Sequence, residues 1–203
     1  MNYVSLVAGW LVYFLLHSLL ASMAVKKGAQ QVLGSAFRFY RLGYTLVSSV
    51  GLVVLLIMNG SIESAYYFER GGVVRFLSLV FTTFGVMLIQ VSFRQYRLKA
   101  FLGFEPEVNS LRLHGVLTWI RHPIYSGLIL ILIGFFLFIP NQPTLVSCGC
   151  AFIYLPIGIY LEERKMILEF GQRYLDYRKE VPALVPRWSR ITGRLTLKEP
   201  ADE

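Results

Sequence analysis

Two short polar clusters interrupt an otherwise apolar chain. One is Arg121-His122-Pro123-Ile124-Tyr125-Ser126-Gly127, and the other is Glu162-Glu163-Arg164. Arg121 and His122 offer hydrogen-bond donors and positive charge. Glu162 and Glu163 offer carboxylates suited to a cationic group such as an ammonium. Pro123 suits the first turn of a helix, where its missing N–H costs nothing. Gly127 lets a neighbouring helix or a ligand approach the backbone closely. His114 and Gly115 lie just upstream on the same polar stretch, and Tyr174 and Tyr177 lie downstream. Each cluster has a plain alternative reading: an Arg-His pair at a helix end is commonly a topology signal, and a Glu pair is commonly a solvated turn. No metal is expected. Cys148 and Cys150 are two residues apart, which puts them on different helix faces, and they read as small core residues.

The elements that must position these clusters follow from composition. Of 203 residues, 55% are hydrophobic and only 16% charged, whereas a soluble domain carries roughly 25% charged residues. Disorder and a disulfide scaffold are excluded, and the class expected is an all-α integral membrane protein. Tyr3 to Val25 has no charge over 23 residues, enough for one span, since about 20 apolar residues cross a bilayer core. It lacks the basic start of a signal peptide. Leu42 to Met58 and Phe76 to Phe93 are further uncharged runs. Pro123 to Leu161 is charge-free for 39 residues, too long for one span. Pro140-Asn141-Gln142-Pro143 breaks it into a hairpin, Ile124 to Ile139 and Thr144 to Leu161, because two prolines so close cannot continue a helix. A hairpin returns the start of its first span and the end of its second to one depth. That brings Arg121-His122 and Glu162-Glu163 together at one membrane edge.

Five spans are therefore expected, and the charges orient them. Of the 20 Lys and Arg, only Arg70 and Arg75 fall between the second and third spans. The other 18 fall on the opposite side, which the positive-inside rule makes cytoplasmic. The amino terminus is then outside and the carboxyl terminus inside, in an inner or plasma membrane. This allocation accounts for the net charge of +8 without a nucleic-acid partner. From Glu162 onward, Met166, Ile167, Phe170, Tyr174, Tyr177 and Val181 recur at spacings of three and four, one apolar helical stripe. A cytoplasmic amphipathic helix is expected there, lying on the membrane or docked on the loops, weakened or bent at Gly171. Residues 1–188 read as one membrane-embedded domain and 189–203 as a polar, loose tail. His17 stands mid-span, where an ionisable group is either functional or bonded to a neighbouring helix. Arg94, Gln95 and Arg97 at the end of the third span read as topology anchors.

The string RHPIYSG, a hydrophobic hairpin, and then EERKMILEFGQRYLDYRKEVPALVP resembles the isoprenylcysteine carboxyl methyltransferase superfamily, which includes phospholipid methyltransferases. The likeness covers Gly115 to Pro186, with three separated blocks in order. The amino-terminal half, with YFLLHSLLAS from Tyr13 and YRLGY from Tyr40, resembles NnrU-type proteins and methanethiol S-methyltransferases of that superfamily. The resemblance implies an enzyme using S-adenosylmethionine at the cytoplasmic edge. His114, Gly115, His122, Pro123, Tyr125 and Gly127 would line or shape the cofactor pocket. Glu163, with Glu162, would bind the cofactor's amino group. Arg121 would face its carboxylate or an anionic acceptor, and Tyr174 and Tyr177 would close the pocket from the tail. One departure is Leu117, where the family often has Tyr.

The reaction implied is in-line displacement of a sulfonium methyl. The leaving thioether is neutral and needs no acid, so orientation and water exclusion dominate. No residue stands out as a strong base, which favours carboxylate or thiolate acceptors. The partners expected are a lipophilic or small membrane-soluble acceptor and membrane lipid. Two other readings compete: a non-catalytic NnrU-like membrane protein, and an NADPH-dependent sterol-reductase-like enzyme.

Overall fold

A computed structural model describes residues 2–94, 111 and 113–186. Uncharged runs become helices because, in hydrocarbon, every backbone polar group must be satisfied within the segment. The helices are α1 (Tyr3–Ala21), α2 (Met23–Leu33), α3 (Tyr40–Gly60), α4 (Gly72–Phe93), α5 (Pro123–Phe138), α6 (Gln142–Phe170) and α7 (Gln172–Glu180). Two 3-10 turns, Gly34–Phe39 and Gly115–Thr118, join them. No strand occurs among the described residues beyond one isolated bridge, Tyr66 to Asn141. Four stretches are long and apolar enough to cross a membrane: Tyr3–Ala21, Met23–Gly60, Gly72–Phe93 and Gln142–Phe170. α5, at 16 residues, is apolar but shorter. Leucines and valines such as Leu15, Val47, Val54 and Leu79 stay exposed along these helices. The protein is an integral membrane protein, all-helical among the described residues.

Two boundaries differ from expectation. The uncharged run from Tyr3 to Val25 is not one helix, because Ser22 breaks it with extended backbone at φ −68° and ψ 150°. The Ser22 N–H donates to Leu19 O at 3.0 Å, and its Oγ accepts the Val25 N–H at 3.3 Å. One serine thus ends α1 and caps α2. The second difference is at Glu162, where no new helix starts. α6 runs unbroken through it to Phe170, and only Gly171, at φ +55°, turns the chain into α7. That backbone region is open to glycine at little cost.

The hairpin tip forms as the prolines require. Asn141 Oδ1 accepts the Thr144 N–H at 3.1 Å and caps α6. The Tyr67 N–H donates to Pro140 O at 2.8 Å, tying the preceding loop to the tip. Near that end, α1, α3 and α6 share a core of Leu6, Trp10, Leu55 and Ile62. A buried polar chain crosses it, from Trp10 Nε1–H to Ser147 Oγ (3.0 Å), Ser147 Oγ–H to Asn59 Oδ1 (2.8 Å) and Asn59 Nδ2–H to Thr144 Oγ1 (3.2 Å). α5 is held chiefly by α4. A Cβ on Gly127 would lie 2.7 Å from Gly85 O, and one on Gly85 would lie 2.5 Å from Gly127 O. The two backbones are therefore in direct contact. Ser78 Oγ–H donates to Gly134 O at 2.9 Å further along.

Gly127→Ala must push these helices apart, an overpacking cost of about 1–3 kcal/mol. Gly149→Ala, whose Cβ meets nothing within 4 Å, gains helix propensity instead. Thermal unfolding in detergent should show a lower midpoint for Gly127→Ala than for Gly149→Ala. Equal midpoints would refute the close crossing.

Candidate functional site

The hairpin places the two polar clusters in contact. Glu163 is a buried acid on α6, its side chain 10% exposed. Its Oε1 accepts from Arg121 Nη2 (2.7 Å), Arg121 Nε (3.1 Å) and His122 Nε2 (3.1 Å). Its Oε2 lies 3.1 Å from Arg178 Nε on α7. Glu162, one residue earlier, turns away. Its side chain is 44% exposed, and its nearest ionic neighbour is His122 Nδ1, 4.0 Å from Oε2. The Tyr125 hydroxyl faces Glu162, and the Tyr125 ring packs edge-on to His122 with centroids 5.7 Å apart.

The chain after α7 completes the arrangement. The Arg121 and His122 N–H groups donate to Pro182 O (2.9 Å) and Ala183 O (3.0 Å), and Ser126 Oγ–H donates to Leu184 O at 2.7 Å. Arg121 Nη1 donates to Arg178 O at 2.9 Å and also to Val181 O. Residues 181–184 thus strap over the entry to α5. Tyr174 and Tyr177 lie beneath, 2% and 3% exposed, in a core with Leu111 and Val181. Tyr177 Oη–H donates to Leu117 O at 2.6 Å. Burial, with the Glu163 carboxylate adding to it, pushes the Tyr174 phenol up to about 12, so it stays protonated.

Of the residues singled out from the sequence, Arg121, His122, Pro123, Tyr125, Glu162, Glu163, Tyr174 and Tyr177 converge here. Four of these residues have partners within the protein that account for their positions. Arg121 directs its guanidinium to Glu163 and to two carbonyls, tying the turn to α6 and to the chain after α7. Tyr174 and Tyr177 are packed core residues. Gly127 is buried against Gly85 of α4, so its bareness serves a helix crossing. Gly115 opens a 3-10 turn at φ +62°, a conformation that accounts for glycine, and His114 beside it is exposed. Neither Arg178 nor the 181–184 carbonyls stand out in the residue pattern as partners of this site. His17 lies elsewhere, between α1 and α3, with Tyr44 Oη 3.0 Å from Nε2 and Ser48 Oγ 3.3 Å from Nδ1. It is bonded to a neighbouring helix. Gln95, Arg97, Arg112 and 189–203 lie outside the described residues.

Fold and site together define a helical membrane protein whose carboxyl-terminal strap locks onto the turn that pairs with a buried acid. The chain matches the family model described as NnrU protein over residues 5–196, and it belongs to that family. It is 28% identical over 186 residues to Methanethiol S-methyltransferase 2 of Bradyrhizobium diazoefficiens, covering 84% of this chain and 68% of the relative. It is 28% identical over 189 residues to Methanethiol S-methyltransferase of Pseudomonas deceptionensis, covering 87% and 70%. Over 80 residues it is 34% identical to Protein-S-isoprenylcysteine O-methyltransferase of Tribolium castaneum, covering 36% of this chain and 26% of the relative. No solved structure matches the chain.

Glu163→Ala leaves two guanidinium groups facing each other without their acid. Removing one partner of a buried pair costs about 3–5 kcal/mol. Limited trypsin digestion of the detergent-solubilised variant should cut faster at Arg173, Arg178 and Lys179 than in the parent protein. An unchanged cutting rate would show that Glu163 does not hold the strap.

Proposed function

We propose that this protein is an integral-membrane methyltransferase that uses S-adenosylmethionine and acts on a small or lipophilic acceptor, with thiols and carboxylates favoured. Two relatives named as methyltransferases align along most of the chain, and a third aligns over part of it. The observation that carries the reading is the division between the two acids: Glu163 is saturated by the protein, and Glu162 is left exposed beside His122 and Tyr125. An exposed carboxylate flanked by an imidazole and a phenol fits the ammonium end of S-adenosylmethionine. The guanidinium of Arg121 does not fit its carboxylate, being already committed. Bound there, the cofactor supplies a methyl group on a cationic sulfur. Glu162 would hold the ammonium, Tyr125 and His122 would line the pocket, and Glu163 with Arg121 would keep the turn and strap in place.

In the topology that suits this reading, α1, α3, α4, α5 and α6 cross the membrane with the amino terminus outside. The basic α2, Arg94 and the strap then lie on the cytoplasmic side, where the cofactor is supplied. α5, at roughly 24 Å, would span by packing on α4 rather than by reaching full bilayer thickness alone. An acceptor dissolved in the bilayer would reach the same edge laterally.

Mass spectrometry of the purified protein should find S-adenosylhomocysteine bound, and labelled methyl from S-adenosylmethionine should pass to small thiols, prenylcysteine analogues or lipid extract. Glu162→Gln removes a charged hydrogen bond of about 1.5–3 kcal/mol, so calorimetry should show S-adenosylhomocysteine binding weakened roughly 10- to 100-fold. Affinity within twofold of the parent protein would remove Glu162 from the cofactor site.

A further inference from the structure

The geometry points to His122, oriented by Glu163, as the base that takes the proton from a thiol acceptor; this rests on the methyltransferase reading above. A carboxylate only accepts hydrogen bonds. With Glu163 Oε1 3.1 Å from His122 Nε2, it is Nε2 that carries hydrogen, and in the neutral ring Nδ1 is then the lone-pair nitrogen. Glu163 cannot drift, because Arg121 and Arg178 pin both of its oxygens. His122 is held in place by burial, its side chain being 3% exposed, and by the bond from Nε2 to Glu163. A buried imidazole is thus held in one tautomer by an immobilised acid, an arrangement that orients bases elsewhere in protein chemistry.

The other nitrogen is open. Nδ1 makes no hydrogen bond to the described residues, and Glu162 Oε2 stands 4.0 Å away. That distance is too long for a hydrogen bond and is of the kind a bridging group fills. The groups facing His122 are Glu162 and Glu163 of α6, Arg178 and Tyr174 of α7, which reach it through Glu163, and Arg121 and Tyr125 of its own segment. A proton arriving at Nδ1 therefore brings its charge between two carboxylates. This supplies what a thiol needs and a carboxylate acceptor does not, since a thiol is mostly protonated at neutral pH, with pKa about 8.5. The S–H bond breaks, the proton passes to Nδ1, and the electron pair stays on sulfur. The new sulfur–carbon bond forms as the methyl–sulfonium bond breaks, and the imidazolium returns its proton to water.

Two measurements on the full-length protein in detergent test this. In the first, ¹⁵N-histidine spectra are recorded without cofactor, with the His122 signals identified by their loss in His122→Gln. Nε2 should carry the proton and Nδ1 should show a lone-pair shift; the reverse tautomer overturns the proposal. In the second, methyl transfer is compared between an alkanethiol and a thiocarboxylate, which is already ionised. Glutamine places an N–H donor where Nε2 stands and so keeps the bond to Glu163. His122→Gln can weaken the site for both acceptors alike, so the ratio is read: the loss on the alkanethiol should exceed the loss on the thiocarboxylate by roughly 10²–10⁴-fold. Equal losses on both would assign His122 a structural role and overturn the base. A parent protein that transfers methyl to neither overturns the methyltransferase reading itself, a result distinct from the loss of the base alone.

Discussion

One carboxylate organises the carboxyl-terminal half of this protein. Glu163 receives hydrogen bonds or ion pairs from the turn before α5, through Arg121 and His122, and from α7, through Arg178. Burying an acid is costly unless it is paired and its lone pairs are used. Here both oxygens are occupied, so the charge stabilises the arrangement only while all three segments stay in place. The strap follows from this. Arg121 can spend its remaining N–H groups on Arg178 O and Val181 O only because its other edge is fixed on Glu163. Gly171 follows too, since α6 must end there, at φ +55°, for α7 to fold back and bring Arg178 within reach.

Much of this was legible in the residues, because the physics that forms a span is compositional. Charge-free runs bounded by arginine or by Asn-Gly became α3 and α4 nearly as bounded. The Pro140 to Pro143 break set the hairpin that joins His122 to Glu163. The stripe from Met166 to Val181 is a packed face, although it is shared between two helices. Periodicity could not show that α6 continues past Glu162, since an apolar span and an amphipathic helix have the same period. The break at Ser22 was hidden for a different reason. A serine costs little inside a helix and also caps one well, so the residue alone does not choose. The strap was illegible because backbone carbonyls at 182–184 carry no side-chain signature.

Four residues of the two blocks have partners within the protein itself. Arg121, Gly127, Tyr174 and Tyr177 sit in a motif that resembles a cofactor-binding family, and a motif does not separate groups that touch a ligand from groups that hold those that do. Geometry does. A guanidinium whose donors meet a carboxylate and two carbonyls has little left for a substrate. A glycine in contact with another backbone is explained by that contact. The amino-terminal half shows the same economy, with His17 satisfied by Tyr44 and Ser48 within the bundle, as an ionisable group at that depth must be.

The adjacency of Glu162 and Glu163 then has a physical sense. Successive residues on an α-helix point about 100° apart, so the two acids reach His122 from different directions, one buried and one exposed. This part of α6 carries two different things: an inward charge that locks the turn and α7, and an outward charge that stays exposed. Two acids in sequence supply both, and the rigid span carries them at a fixed angle. His122 lies in the wedge between them, 3.1 Å from one and 4.0 Å from the other. A substitution that rotates the end of α6 would move both acids relative to the imidazole at once. The length of helix between Glu163 and Gly171 is therefore part of the site, because it sets where Arg178 meets the inward acid and so holds the outward one in place.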